Sequence, residues 1–390
     1  MKYHREYLES KDDFITMLQN NDVIDVPVNL RYFNTKLRTD ILKDYFDVST
    51  SRTNNTKTIV LNGDVMISSN YQFIEIFDDF LKRNKMITKI KWNDFEMESD
   101  CTKRFNQLLI NNKQIIAVEF NNSPKMTYDT VFQNVALQEV IIDSPYLLEL
   151  PKLLLFPSIQ SVSIKIRDMV MYEQKFGSKE LLNAFTNTKS LTKIHINDGD
   201  REEGDDVKTF NDFIECLIKS NNQSVKELYL YLYDKLSKKI CKNIKKYITQ
   251  NKNIIKLKIS IKSINNYGFL NKNSNIEELH IDAQNTNRNV IKSIEKLILT
   301  NRKITDLKIP FAPIYDDDKM LLEAIKKNGT IENIELDVHQ NYYKDIFAEV
   351  DNIKKLKKQY VRTYLDLFAG YQIIPMINII NEYVGLAFTS

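Results

Sequence analysis

The chain has 390 residues, 43% of them hydrophobic and 27% charged, a balance ordinary for a folded protein, and its net charge of +3 excludes a whole-molecule preference for nucleic acid or acidic membranes. It holds no uninterrupted run of about 18 apolar residues, so no membrane span is expected, and Met1-Lys2-Tyr3-His4-Arg5-Glu6 opens on charge rather than on a secretory leader. Cys101, Cys216 and Cys241 are too few and too scattered for a disulfide framework or a paired-cysteine metal site, which points to the cytosol.

Residues 1–55 carry helical stripes (Tyr7-Leu8, Phe14-Ile15, Leu18, then Leu37, Ile41-Leu42, Tyr45-Phe46) and read as a helical N-terminal cap. From 56 to 340 one phrase recurs: an apolar residue, two variable ones, an apolar residue, one variable and another apolar. Clear copies are Ile87 to Trp92, Ile115 to Phe120, Leu191 to Ile196, Val225 to Leu230, Ile254 to Ile259, Ile276 to Ile281, Ile304 to Ile309 and Ile331 to Leu336. Weaker copies start at Leu137 and Ile159, and a degenerate one runs from Thr56 to Leu61. Successive copies start about 22 to 34 residues apart. The last two apolar positions are two apart and share one face of a strand, and the residues between them take the other face.

Helically spaced stripes precede most copies: Phe77, Phe80 and Leu81; Phe105, Leu108 and Leu109; Phe210, Phe213, Ile214, Leu217 and Ile218; Leu321, Leu322 and Ile325. Asn84, Asn111, Asn221, Asn251, Asn301 and Asn328 follow these stripes and are expected to end the helices in the left-handed conformation, Asn328-Gly329 being the best such stop. Between about 121 and 158, Pro145, Pro151 and Pro157 leave little room for a full helix. Residues 341–390 turn helical again, through Ile346-Phe347, Val350, Ile353 and Leu356, and read as a C-terminal cap.

The run Leu321 to Leu336 resembles a leucine-rich repeat of the ribonuclease-inhibitor type, and Phe105 to Ile115 is similar. The resemblance implies an α/β fold: a horseshoe-shaped solenoid with a concave parallel sheet of about ten or eleven strands and convex helices, capped at both ends. It departs from the family in carrying Ile in many Leu slots. It implies a monomeric, non-catalytic scaffold that binds a protein on the concave face.

Catalytic chemistry finds no support in the motifs. There is no GxGxxG or P-loop phrase, no HxxxH spacing among His4, His195, His280 and His339, and no nucleophile–base spacing, so neither a cofactor nor a metal is expected. The acidic stretch from Asp198 to Asp206 does not fit a calcium loop and reads as a solvated connection, and Asp316-Asp317-Asp318 reads as the start of a helix.

The period of two puts Lys89, Lys91, Ala117, Glu119, Glu139, Ile141, Ser161, Ser163, Lys193 and His195 on the concave face, followed by Glu227, Tyr229, Tyr231, Lys256, Lys258, Glu278, His280, Asp306, Lys308, Asn333 and Glu335. Glu227, Tyr229, Tyr231, Lys256, Lys258 and His280 are the expected partner-binding residues, with the tyrosines as anchors. The bland reading is that these rungs neutralise one another. Lys235 to Lys262 holds ten lysines and no acidic residue, so Lys238, Lys239, Lys242, Lys245 and Lys246 offer an alternative: attachment to an anionic membrane or nucleic acid. A further alternative is a ubiquitin-ligase adaptor, because Ile374 to Val384 faintly resembles the opening of an F-box.

Overall fold

The structure is a computed structural model that describes residues 23–27, 57–62, 71–93, 99–121, 136–143, 150–165, 178–197, 207–232, 236–261, 264, 266–282, 288–309, 317–336 and 343–368. The chain divides into two compact units, residues 1–195 and 196–390, which are taken one at a time.

The first unit is built on a ladder of parallel strands in chain order: β1 (Val23–Pro27), β2 (Thr58–Asn62), β3 (Lys89–Asn93), β4 (Ala117–Asn121), β5 (Glu139–Asp143) and β6 (Ser161–Lys165). Four helices belong to it: α1 (Tyr71–Arg83), α2 (Ser99–Asn111), α3 (Leu150–Leu154) and α4 (Ser178–Asn187). The strand β7 (Lys193–Asn197) straddles the division of the chain. The unit corrects the expectation that residues 1–55 are helical throughout, because β1 pairs with β2, Ile24 opposite Ile59 and Val26 opposite Leu61. The phrase is there, but its leading slot is Asn21 instead of an apolar residue, so it does not announce itself.

The second unit repeats the plan with β8 (Glu227–Leu232), β9 (Lys256–Ile261), β10 (Glu278–Asp282), β11 (Asp306–Ile309) and β12 (Asn333–Leu336), again parallel and in chain order. Its helices are α5 (Val207–Lys219), α6 (Lys238–Gln250), α7 (Arg288–Thr300), α8 (Asp317–Asn328) and α9 (Lys344–Phe368). Where only about 22 residues separate one phrase from the next, between β9 and β10, a 3-10 turn, Gly268–Lys272, replaces the helix. The phrases at Leu137 and Ile159 are likewise 22 residues apart, and α3 between them is five residues long. Twelve strands are described in all, against an expected ten or eleven.

The apolar slots of the phrase make the core. Its leading residues Ile87, Ile115, Leu137, Ile159, Leu191, Val225, Ile254, Ile276, Ile304 and Ile331 are all buried, as are the strand pairs behind them, such as Leu257 with Ile259 and Leu279 with Ile281. Phe77, Phe80, Leu81, Phe105, Leu108 and Leu109 meet them from the helices, with Phe105 edge-on to Trp92 at 5.4 Å. One backbone device locks successive repeats. Two consecutive N–H groups entering a strand donate to a single carbonyl of the repeat before, as Ile255 and Lys256 do to Lys226, and Glu277 and Glu278 do to Ile255.

The asparagines correct a second expectation. Among the described non-glycine residues only Asn221 has a positive φ, 48°, and Asn251 sits at −81°. The left-handed stops expected at Asn221 and at Asn328-Gly329 are present, the second at Gly329 with φ 67°. Asn84, Asn112, Asn251, Asn273, Asn301 and Asn328 are buried, and their amides close the helix ends. Asn273 Nδ2 donates to the carbonyls of Ile248 and Asn251, both at 2.9 Å, and Asn328 Nδ2 donates to those of Ile298 at 2.6 Å and Asn301 at 2.9 Å. Buried carbonyls at the end of a helix need donors, and an amide reaching over from the next repeat provides them.

At the C-terminal end, α9 packs through Ile346, Val350 and Ile353, with Tyr343 just ahead of it also buried, beside α8 and β12. The helical stripes read in residues 1–55, the acidic stretch 198–206, the side chains of Asp316 to Asp318, and Ile374 to Val384 lie outside the described residues.

Candidate functional site

Register decides which side chains meet on the open face of the second unit. One row runs Glu227, Lys256, Glu278, Asp306, Asn333, and the next runs Tyr229, Lys258, His280, Lys308, Glu335. A third row, Tyr231, Ser260, Asp282, exists because β8 and β9 are six residues long. All six residues expected to bind a partner therefore lie on three adjacent strands.

They are tied to one another. Lys256 Nζ bridges Glu278 at 3.2 Å and Glu227 at 3.9 Å, and Lys258 Nζ reaches Glu278 at 3.5 Å. Tyr229 donates its hydroxyl to Glu227 Oε2 at 2.9 Å, and the Lys258 ammonium sits 4.8 Å over the Tyr229 ring. Tyr231 packs edge-on to His280 at 6.4 Å. Burial and the Glu227 carboxylate push the Tyr229 phenol up, so it stays a neutral donor. Glu278 raises Lys256 and keeps it charged. His280 is lowered by burial, then by Lys308 and Lys258, and is neutral near pH 7.

Two linking residues fall outside the six: Glu278, which bridges both lysines, and Ser260, fully buried, which donates to Asp282 Oδ2 at 3.2 Å. Glu278 is already among the concave positions given by the period of two, and Ser260 follows when that period is extended by one more step past Lys258. Lys308 pairs with Glu335 across β11 and β12.

The first unit has its own polar centre. Glu119, 7% exposed, meets Lys91 at 3.2 Å, Lys89 at 3.5 Å and Lys165 at 3.1 Å. Lys165 comes from β6, 46 positions away, a link that spacing does not announce. Ser163 Oγ lies 3.0 Å from His195 Nδ1.

The five lysines proposed to hold anions differ in their surroundings. Lys239 is bound to Glu215 at 2.6 Å, which with Lys219 holds that carboxyl below its usual range. Lys245 lies 5.6 Å over the Phe269 ring. Lys238, Lys242 and Lys246 remain exposed along one side of α6. Lys235 and Lys262, the ends of the tract, lie outside the described residues.

Among the described residues, no group of three or more His, Cys, Asp or Glu is arranged to hold a metal ion, and no helix is long and apolar enough to cross a membrane. Cys216 and Cys241 are buried and form no disulfide, and burial pushes the Cys241 thiol up.

Parallel strands in unbroken chain order, most of them entered through the same apolar phrase and followed by a helix, decide the architecture. This is a leucine-rich-repeat fold. No family model matches the chain, and a search of curated proteins finds no similar sequence. Among solved structures it is similar to the leucine-rich-repeat-containing protein LegL7 from Legionella pneumophila, at 13% identity and a TM-score of 0.47, covering 85% of this chain and 97% of that one. An internalin (inlF) from Listeria monocytogenes is similar at 11% identity and a TM-score of 0.36, covering 82% and 88%. TLR13, in a complex with ssRNA13, is similar at 11% identity and a TM-score of 0.32, covering 83% and 36%. The fold rests on the register and the phrase, and the leucine-rich repeats here keep Ile in many Leu slots.

Proposed function

We propose that this leucine-rich-repeat chain is a non-catalytic, monomeric cytosolic scaffold that docks a protein partner on the open face of β8, β9 and β10. The observation that supports this reading is the joined set Glu227, Tyr229, Tyr231, Lys256, Lys258 and His280, mixed in sign and half-exposed. Mutual contacts hold these side chains in place before a partner arrives, so binding loses less side-chain entropy. Tyrosine beside paired charge is the composition of protein-binding hot spots. Alternating sign disfavours a phosphate backbone on this face.

The test is affinity capture from cytosol with the wild-type chain and a Tyr229→Ala/Tyr231→Ala/Lys258→Glu variant of unchanged melting temperature. A protein retained by the wild type and lost by the variant is the expected result. Equal recovery by both would remove the face from consideration.

A further inference from the structure

The outer helices of the second unit carry charge in a way that folding does not explain. On α6, Lys238, Lys242 and Lys246 are exposed at four-residue spacing, and on α7 Arg288, Lys292 and Lys296 repeat the pattern. The two helices flank the 3-10 turn Gly268–Lys272, whose Lys272 is also exposed. None of the six side chains on α6 and α7 has a hydrogen-bonding or ionic partner among the described residues. Like charges four apart on a helix repel. Cations in a first turn also oppose the helix dipole, and neither helix has an acidic residue in its first turn or a basic one in its last.

The first unit handles its outer helices differently. On α1, Lys82 pairs with Asp78 at 2.7 Å, and Arg104 of α2 reaches Glu75 of α1 at 2.9 Å. Exposed cations without a partner among the described residues also occur elsewhere, as Lys179 on α4 and Lys358 and Arg362 on α9; α6 and α7 differ in setting two such rows on either side of one turn.

We infer that the outer face of α6 and α7 is an attachment surface for an anionic lipid bilayer. Its cations cover an area, in two rows with a lysine between them, instead of following one line as a single strand of phosphates would require. Five of the six are lysines, compact point charges suited to a diffuse negative surface, with one arginine able to fork onto a phosphate. No large apolar side chain is exposed there, so attachment is electrostatic and inserts nothing. The inference stands apart from the partner-binding face, which lies on the strands.

Co-sedimentation with vesicles tests it. The chain is expected to pellet with phosphatidylserine-containing vesicles at about 0.15 M salt, to be released at about 1 M, where the screening length falls from about 8 Å to about 3 Å, and to ignore pure phosphatidylcholine. Neutralising a lysine is expected to weaken binding about fivefold, the equivalent of about 1 kcal/mol. Lys242→Glu/Lys292→Glu/Lys296→Glu is expected to abolish pelleting, while the equal charge change Lys113→Glu/Lys179→Glu/Lys189→Glu in the first unit leaves it intact. If the first variant does not fold, Lys292→Gln/Lys296→Gln carries the test with an expected loss of about 25-fold. Failure to pellet, equal loss in the control variant, or tighter retention on duplex nucleic acid than on vesicles at the same salt would overturn the assignment. Partner capture through Tyr229 and Tyr231 is unchanged in either event.

Discussion

His280 sits half-buried on β10 with Tyr231 against its ring and Lys258 and Lys308 on the flanking strands. Burial and the two ammonium groups hold its pKa below the unfolded value of about 6.5, so the unfolded chain takes up the proton first. The stability this side chain contributes is complete above about pH 6.5 and is lost as pH falls below it. Comparing melting temperatures at about pH 7.5 and about pH 5.5, wild type is expected to drop more than His280→Gln. Equal drops would show that its environment does not penalise the imidazolium. Residue patterns on this face are legible in the sequence because a strand alternates strictly. The tie between Glu119 and Lys165 is not, since it crosses an intervening strand and depends on side-chain reach.

Between elements, the asparagines perform the work of adhesion. Asn273 offers one amide to two carbonyls, those of Ile248 and Asn251, which belong to the end of α6 and the turn after it. Asn273→Ala strands both inside the protein and is expected to lower the unfolding free energy by about 2–4 kcal/mol in chemical denaturation. Its exposed-side neighbour Asn275, which donates to Lys252 from the surface, is the control, with an expected cost within about 1 kcal/mol. A loss no larger at Asn273 than at Asn275 would mean that water replaces the amide. Sequence reasoning places Asn84, Asn251, Asn301 and Asn328 at helix ends as left-handed stops and does not pick out Asn273, whereas the structure gives all five a buried amide. A left-handed cap and a buried amide bridge present the same letter, and only the carbonyls of the repeat before tell them apart. The strand β1 is hidden for a related reason, since its leading slot holds Asn21.

For the whole chain, 55 basic and 52 acidic residues nearly cancel, so the net charge hides the segregation that matters. In the second unit, mixed charges join on the strands, and predominantly positive charge lines the exposed sides of α6 and α7, where Glu295 is the one acidic residue. The repeat phrase makes the architecture legible, because each copy must bury the same slots against its neighbours. Function is less so, since a face that neutralises itself and a face awaiting a partner share one alternating pattern.

The closing turn of α8 also bears on how the protein ages. Asn328-Gly329 is the kind of dipeptide that deamidates readily, by attack of the glycine nitrogen on the asparagine side-chain carbonyl. Here Gly329 N–H is committed to the Ile325 carbonyl at 3.0 Å, Asn328 Oδ1 accepts from Thr330 N–H at 2.8 Å, and both carbonyls facing Nδ2 are inside the protein. Cyclisation must wait until this repeat opens. Once it occurs, the resulting carboxylate is an acceptor only and faces the carbonyls of Ile298 and Asn301, so the repeat cannot close as before. Peptide mapping is expected to find this site intact after long native incubation and converted after the same time in denaturant, and equal conversion would refute the protection. The converted fraction at the turn before β12 is thus an irreversible record of the time a population of molecules has spent undone.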